Sequence, residues 1–281
     1  MRIGFAHRAF QQWCEQRIPG DAKMLDILGL RKRLYGKFPY KALVQTKQRN
    51  RPREGDSMPK KVLIIVSNAY VIGSHNRRTG NFLPEVAHPY AEFDRAKYQI
   101  DFASLTGDTP FLDALNLADD PDNLSFLVGK GWASMQKASK LSDVDVSQYN
   151  AIFMPGGLAP MVDMPEHPLL KKVVKETYER KAVVGAVCHG PVSLLNVKLS
   201  DGTYLLANKN ISSFTNDEEE NYAKADVPFE LETALTKQGA IFHKTAPWKA
   251  FSIVDGNLVT GQNPASAKGV AEKMIELMEA T

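Results

Sequence analysis

From Val62 onward, largely apolar runs alternate with segments that have a helical period. The runs are VLIIVSNA, YQIDFASLTG, YNAIFMPGG and AVVGAV, and the helical segments LPEVAHPYAEFDRA and HPLLKKVVKETYERK lie between them. A short apolar run bounded by turn residues is typical of a parallel strand that is buried on both faces. The alternation predicts an α/β fold, a flavodoxin-like three-layer sandwich with a mostly parallel central sheet and helices on both faces.

The composition of the 281 residues is that of a globular protein, with 43% hydrophobic and 24% charged residues. No apolar stretch reaches the ~18 residues of a membrane-spanning helix, and no secretion signal is visible, so we expect a cytoplasmic location. Two cysteines, Cys14 and Cys188, exclude a disulfide framework. The six histidines form no HExxH motif, and we expect neither a metal nor an organic cofactor.

The first 57 residues differ from the rest of the chain in charge. They contain 13 Lys and Arg against 5 Asp and Glu, whereas residues 58–281 contain 22 against 27. We expect residues 1–57 to be a basic N-terminal extension, disordered or appended, and residues 58–281 to form the α/β domain. A mitochondrial transit peptide and a basic arm that contacts a partner are the alternatives for the extension. Nothing in the mildly acidic domain indicates nucleic-acid binding.

The apolar run AVVGAV ends abruptly at Cys188, with Ala186 two residues before the cysteine and Gly190 two residues after it. A strand that turns sharply into a helix needs such small neighbours, because larger side chains would clash across the turn. This is the nucleophile elbow of G-x-S-x-G enzymes, with sulfur in place of oxygen. The amides of the following helix are expected to lower the pKa of the thiol. A buried structural cysteine is the alternative.

Further groups for chemistry lie next to the cysteine and at the end of the preceding strand. The ring of His189 can fold back beside the sulfur on a tight turn, which suits proton transfer. The strand YNAIFMPGG ends in Gly156 and Gly157, and uncovered amides in such a turn can form half of an oxyanion hole. An ordinary glycine turn would show the same residues.

Two carboxylates are candidates for acid–base work. Glu85 lies among apolar residues of the first helical segment, and burial there would raise its pKa and make it a proton donor at neutral pH. A solvated first-turn glutamate is the alternative. Residues 218–220 form an acidic run after NISSFT. Such runs are usually solvated, but one member can orient His189.

Six segments in this order resemble the ThiJ/PfpI superfamily, which has the class I glutamine amidotransferase-like fold. They are VLIIVSN, TGNFLPEVAHPYAEF, KLSDVDVSQYNAIFMPGG, AVCHGP, ISSFTNDEE and VDGNLVTGQNPASA. Within the superfamily the chain is most similar to the glutathione-independent glyoxalase III branch, which also includes heat-shock chaperones. The resemblance extends from Lys60 to the C-terminus, and residues 1–57 match nothing in it.

The resemblance implies roles for individual residues. Cys188 matches the nucleophile of the family, and His189 matches the histidine that follows it. Glu85 matches the carboxylic acid that hydrogen-bonds the sulfur. Glu219 matches the acidic third member, with Glu218 as the fallback.

The chain departs from the branch beside the expected pocket. Where relatives read PGGHGPMWDLP, it reads PGGLAPMVDMP, so that Leu158, Ala159 and Val162 replace histidine, glycine and tryptophan. The resemblance implies that Gly156, Gly157 and Leu158 lie at the oxyanion and substrate-binding site, with the His189 amide as a second donor. We expect the replacements to change substrate preference or rate.

The implied reaction is the cofactor-free conversion of methylglyoxal or glyoxal to lactate or glycolate through a hemithioacetal on Cys188. A small dicarbonyl substrate and a homodimer are expected, without nucleic acid or membrane partners. A D-lactate dehydratase type of lyase, with protein deglycase activity at the same site, fits these residues. Three alternatives remain open: a holdase chaperone, a cysteine amidohydrolase or peptidase on the same triad, and a redox sensor.

Overall fold

The computed structural model describes residues 59–280. The predicted basic extension over residues 1–57, together with Cys14, lies outside the described residues. Among the helices of residues 59–280, none combines the length and the apolar composition that crossing a bilayer requires.

The strands and helices alternate along the described chain. The strands are Lys61–Val66 (β1), Val71–Ile72 (β2), Arg77–Arg78 (β3), Asn81–Phe82 (β4), Gln99–Ser104 (β5), Leu112–Asp113 (β6), Ser139–Lys140 (β7), Ala151–Met154 (β8), Val183–Val187 (β9), Asn210–Ile211 (β10), Ile241–Phe242 (β11), Ser252–Asp255 (β12) and Leu258–Gly261 (β13). The α-helices are Leu83–Arg95 (α1), Pro121–Val128 (α2), Lys130–Met135 (α3), Pro160–Asp163 (α4), Pro168–Glu179 (α5), Asn216–Glu219 (α6), Leu231–Lys237 (α7) and Ala267–Glu279 (α8). Short 3₁₀ helices cover Leu115–Leu117, Leu141–Asp143, Val146–Gln148, Gly190–Leu194 and Pro264–Ser266.

The central sheet of the described residues has seven strands in the order β12-β13-β9-β8-β1-β5-β7. Strand β12 pairs antiparallel with β13, and the other pairings in this sheet are parallel. The prediction of a mostly parallel sheet is therefore confirmed. Strands β10 and β11 pair with each other outside it.

Side chains of β1 alternate between two hydrophobic cores, one on each face of the sheet. Val62, Ile64 and Val66 pack with residues of α1 and α8, whereas Leu63 and Ile65 pack with residues of α5. This is the three-layer arrangement that the apolar run predicts, because a strand covered on both faces has no polar side. The carboxyl ends of the neighbouring strands β1, β8 and β9 consequently meet at one edge of the sheet.

Asp163, the last residue of α4, ties the segment after β8 to the carboxyl end of β1. Its Oδ1 accepts a hydrogen bond from the Ser67 hydroxyl at 2.7 Å, and its Oδ2 accepts from the amides of Asn68 and Ala69 at 2.9 and 3.1 Å. Burial raises the pKa of the Asp163 carboxyl, while these donors oppose the rise. The carboxylate therefore satisfies donors that would otherwise be left without a partner where the two loops meet.

We predict that Asp163→Ala lowers the free energy of unfolding by about 2–3 kcal/mol, because it leaves partly buried donors unsatisfied. Urea unfolding measures this loss. Asp201→Ala is the matched control, since Asp201 accepts two hydrogen bonds from Thr203 in an exposed turn. Equal losses in the two variants would show that Asp163 does not have the proposed structural role.

Candidate active site

Cys188 lies at a sharp turn directly after β9. Its φ is +60°, in the left-handed region that costs a non-glycine residue about 1–2 kcal/mol. Two backbone hydrogen bonds hold this conformation: the Cys188 amide donates to the Gly261 carbonyl at 2.9 Å, and the Phe214 amide donates to the Cys188 carbonyl at 2.8 Å. Strain maintained in this way by surrounding structure is typical of functional sites.

The sequence requirement for small residues around the cysteine has a direct steric reason. A Cβ added at Gly190 would lie 2.2 Å from the carbonyl oxygen of Met154 in β8. The residues that follow form the five-residue 3₁₀ helix Gly190–Leu194 rather than an α-helix. The expected α-helical N-terminus behind the sulfur is therefore absent from the described structure.

Glu85 lies in the first turn of α1 and is completely buried. Its Oε2 accepts a hydrogen bond from the Gly156 amide at 2.8 Å, and the carboxyl also hydrogen-bonds the Cys188 thiol. A Cβ at Gly156 would lie 2.6 Å from that Oε2 and 2.8 Å from the Cβ of Cys188. Glycine at this position therefore lets the loop after β8 approach both groups.

Burial controls the protonation of this pair. Desolvation raises the pKa of Glu85 from 4.5 to about 8, although the hydrogen bonds from Cys188 and Gly156 lower it in part. Desolvation and the neighbouring Glu85 also raise the pKa of the Cys188 thiol well above its ordinary value. The expectation of a lowered thiol pKa is therefore wrong, because burial and the carboxyl outweigh the amides of Gly157 and His189.

His189 connects the sulfur to a second carboxylate. Its Nδ1 lies 3.3 Å from Sγ of Cys188, and its Nε2 lies 2.7 Å from Oε2 of Glu219. The imidazole is completely buried and packs against the Phe214 ring at a centroid distance of 4.4 Å. Because Nε2 faces a carboxylate, that nitrogen carries the hydrogen and Nδ1 is left to accept one from the thiol.

Glu218 and Glu219 are adjacent in α6 but have different environments. Glu218 forms a capping box with Thr215 and accepts hydrogen bonds at Oε1 from the Trp248 amide and the Asn263 side chain, both at 2.7 Å. Glu219 faces His189 instead. The structure thus places Glu219 at the site and gives Glu218, the fallback, a structural position.

The glycines after β8 have separate positions in the site. The amides of Gly157 and His189 hydrogen-bond the sulfur and lower its pKa in part, so both donors face the reacting atom. The Gly156 amide is already used by Glu85. Gly157 has φ +89°, and a Cβ there would lie 2.3 Å from the Gly80 carbonyl. The amides of Gly157 and His189 therefore stay the predicted oxyanion donors, whereas the Gly156 amide makes a positioning contact with Glu85.

Leu158, Ala159 and Val162, which differ from the residues of relatives, do not line one common pocket. Leu158 and Ala159 are completely buried, and Leu158 packs in the hydrophobic core on the α5 side of the sheet. Val162 is 47% exposed. The Leu158 side chain thus belongs to the core, and a substrate contact by Leu158 stays a prediction.

Two aromatic residues lie near the site, and one of them, Tyr222, carries no signal in the sequence. Tyr222 and Trp248 pack with Phe214 at centroid distances of 5.5 Å each, and with each other at 6.0 Å. Tyr222 follows Glu219 by three residues, and its amide donates to the Glu219 carbonyl. A single aromatic in the polar stretch DEEENYAKAD has no periodic pattern, so only its spacing from Glu219 could have pointed to it.

The four side chains predicted to carry the chemistry are brought together by the fold. Cys188, His189, Glu85 and Glu219 are each at most 3% exposed. Among residues 59–280, no group of histidine, cysteine and acidic side chains has the arrangement of a metal site. The arrangement provides a thiol, two flanking proton carriers and two oxyanion donors, and the catalytic role of each group stays a prediction.

Glu85→Gln is predicted to change how stability depends on pH. The folded chain holds the Glu85 proton up to about pH 8, whereas the unfolded chain loses it above about pH 4.5. The contribution of Glu85 to the free energy of unfolding therefore falls between those pH values. Because glutamine does not ionise, the melting temperature of the variant relative to wild type should rise from pH 5 to pH 8.

Glu272→Gln, on the exposed face of α8, controls for the replacement of a carboxyl by an amide. A difference between Glu85→Gln and wild type that stays flat from pH 5 to pH 8 would contradict the elevated pKa.

Comparisons with known proteins agree with this geometry. The model of the DJ-1/PfpI family matches residues 83–277. Glyoxalase 3 of Candida albicans is 30% identical over 234 residues, which cover 79% of this chain and 99% of that protein. The glutathione-independent glyoxalase HSP31 of Saccharomyces cerevisiae is 33% identical over 239 residues, which cover 79% of this chain and 99% of that protein.

Solved structures give the same result. The crystal structure of glyoxalase III from Candida albicans superimposes with a TM-score of 0.72 at 30% identity, covering 79% of this chain and 98% of that one. Rapid Encystment Protein 24 kDa from Francisella tularensis gives a TM-score of 0.74 at 32% identity, covering 78% and 99%. These matches confirm the α/β fold and the resemblance found in the sequence: the chain belongs to the DJ-1/PfpI family.

Proposed function

We propose that this chain is a glutathione-independent, cofactor-free glyoxalase that converts methylglyoxal or glyoxal to lactate or glycolate. The observation that carries the proposal is the buried Glu85 carboxyl, which contacts the Cys188 thiol and has a pKa of about 8. A simple thiol nucleophile does not require a protonated carboxylic acid beside it. A reaction that moves a proton between two adjacent carbons needs a group that can take up a proton and return it near neutral pH, and a carboxyl with this pKa can do both.

In the first step Sγ of Cys188 adds to the aldehyde carbon and forms a hemithioacetal. The thiol proton passes to Nδ1 of His189, 3.3 Å away, and the Glu219 carboxylate stabilises the imidazolium through Nε2. The aldehyde π electrons move to oxygen, where the amides of Gly157 and His189 donate. Return of the proton to that oxygen completes the neutral adduct.

In the second step a proton leaves the carbon bonded to sulfur and another arrives at the neighbouring carbon. In the enediol intermediate the second oxygen has gained a proton, and loss of the hydroxyl proton from the first oxygen, as the neighbouring carbon is protonated, gives a thioester of the hydroxy acid. Glu85 in its ionised form accepts the first proton and in its neutral form supplies the second, and a pKa of about 8 suits both roles near neutral pH. Water then cleaves the thioester, releases the hydroxy acid and regenerates the thiol.

The burial of the site favours a small substrate over a polypeptide. Cys188 is 3% exposed and its neighbour His189 packs under the Phe214 ring, so an extended peptide would have to displace packed side chains to reach Sγ. An aldehyde of a few atoms needs only a local movement to enter. Peptidase activity is accordingly the weaker candidate, and a holdase chaperone would not need the buried thiol. A cytoplasmic location and a homodimer stay predictions from the sequence.

The test is methylglyoxal consumption without glutathione, with separate detection of D- and L-lactate. We expect wild type to form lactate and Cys188→Ala to lose at least about 10³-fold in rate, because the covalent intermediate cannot form. Cys14→Ala is the matched control and should keep full activity. Glu85→Gln should lose about 10²–10⁴-fold.

Lactate formation that survives Cys188→Ala would contradict the proposal. So would a folded wild-type protein that forms no lactate at all. In the second case, peptide cleavage and suppression of protein aggregation would be the next assays.

A further inference from the structure

Tyr222 packs beside the site, directly after α6. It packs against the cluster of buried residues that includes Cys188 and against the Phe214 ring, which in turn lies on the imidazole of His189. The residue follows Glu219 within the same turn of chain. One ring, that of Phe214, thus separates Tyr222 from the imidazole that contacts Sγ.

Arg77 of β3 fixes the position of Tyr222. Its guanidinium donates to the Tyr222 carbonyl at 3.1 Å and to Oδ2 of Asp226 at 2.9 Å, and its Cζ lies 5.1 Å from the centre of the Tyr222 ring. These contacts hold both the backbone and the ring. The phenol is thus placed by a charged network rather than by a hydrogen bond of its own.

The hydroxyl of Tyr222 keeps its proton near neutral pH. Burial and the nearby ionisable groups of Cys188, Asp113 and Glu85 raise its pKa. Asp113 of β6 pairs with Phe82, which directly precedes α1, so it borders the same end of the helix as Glu85. Within residues 59–280 no hydrogen bond occupies the Tyr222 hydroxyl, which leaves it as a donor for a bound molecule.

We propose that the Tyr222 hydroxyl donates a hydrogen bond to the second carbonyl oxygen of a dicarbonyl on Cys188 and thereby selects 2-oxoaldehydes over simple aldehydes. This inference rests on the proposed function. When the proton leaves the carbon bonded to sulfur, negative charge moves onto that second oxygen. A fixed donor at this point stabilises the enediolate more than the starting ketone, and the effect increases the rate as well as binding.

The experiment compares Tyr222→Phe with Tyr204→Phe, a matched control at an exposed tyrosine. Phenylalanine keeps the aromatic contacts and removes only the hydroxyl. The first readout is kcat/KM for methylglyoxal, which should fall about 10²-fold in Tyr222→Phe and stay unchanged in Tyr204→Phe. Melting temperatures of both variants should match wild type.

The second readout does not need turnover. Iodoacetamide alkylates Cys188, and a bound aldehyde protects it. The concentration of methylglyoxal that gives half-protection should rise about 3- to 10-fold in Tyr222→Phe. Half-protection by acetaldehyde, which has no second carbonyl, should not change, and neither should the alkylation rate without aldehyde.

Each failure has its own signature. A wild-type protein that is protected by methylglyoxal but forms no lactate would contradict the proposed function, while the hydroxyl contact could still be read from the protection assay. Equal weakening of protection by both aldehydes, or an alkylation rate that rises severalfold, would give Tyr222 a covering role and overturn the inference. Wild-type values in both readouts would overturn it as well.

Discussion

The burial of a carboxyl group against a thiol is the constraint on which the rest of this site depends. A shift of the Glu85 pKa from 4.5 to about 8 corresponds to roughly 5 kcal/mol against the charged form. Near neutral pH, Glu85 therefore keeps a proton that an exposed glutamate would lose. Such a group can give or take a proton near neutral pH, which is the property that the proposed isomerisation needs.

Several features of the chain serve to make this burial tolerable. The Gly156 amide compensates one carboxyl oxygen, and the lack of a side chain there allows an approach that a Cβ would block. The left-handed turn at Cys188 directs the sulfur toward the carboxyl, while β-sheet neighbours and Gly190 permit the turn. On the far side, His189 lies between the sulfur and Glu219, with a hydrogen bond of 2.7 Å between its Nε2 and Oε2 of Glu219. The backbone geometry thus determines which polar groups lie next to Glu85 and Cys188.

The fold and most of the site could be predicted because they follow from short-range rules. Runs such as VLIIV have no polar face, so a sheet covered on both sides is the arrangement that buries them. Small residues around Cys188 predict a tight turn. The structure agrees, because a Cβ at Gly190 would clash with the Met154 carbonyl. The apolar neighbours of Glu85 left two interpretations, a buried carboxyl and a solvated one, and the structure shows it completely buried.

The remaining features depend on contacts between distant segments. The sequence predicts a helix dipole that lowers the thiol pKa, whereas the folded chain forms a short 3₁₀ helix, buries the thiol and places Glu85 beside the sulfur. The T-x-x-E pattern of Thr215 and Glu218 is a local capping-box signal, whereas the contact of Glu219 with His189 joins residues 30 positions apart. Tyr222 owes its position to Arg77, which lies 145 residues earlier in the chain.

The most direct test of the account is the pH dependence of Cys188 alkylation in wild type and Glu85→Gln. If burial and the neighbouring carboxyl raise the pKa of the thiol, the wild-type rate should still be rising above pH 9, and the variant profile should move to lower pH. A wild-type profile that levels off near neutral pH and is unchanged by Glu85→Gln would show that the two groups do not share a proton. The central claim would then be wrong.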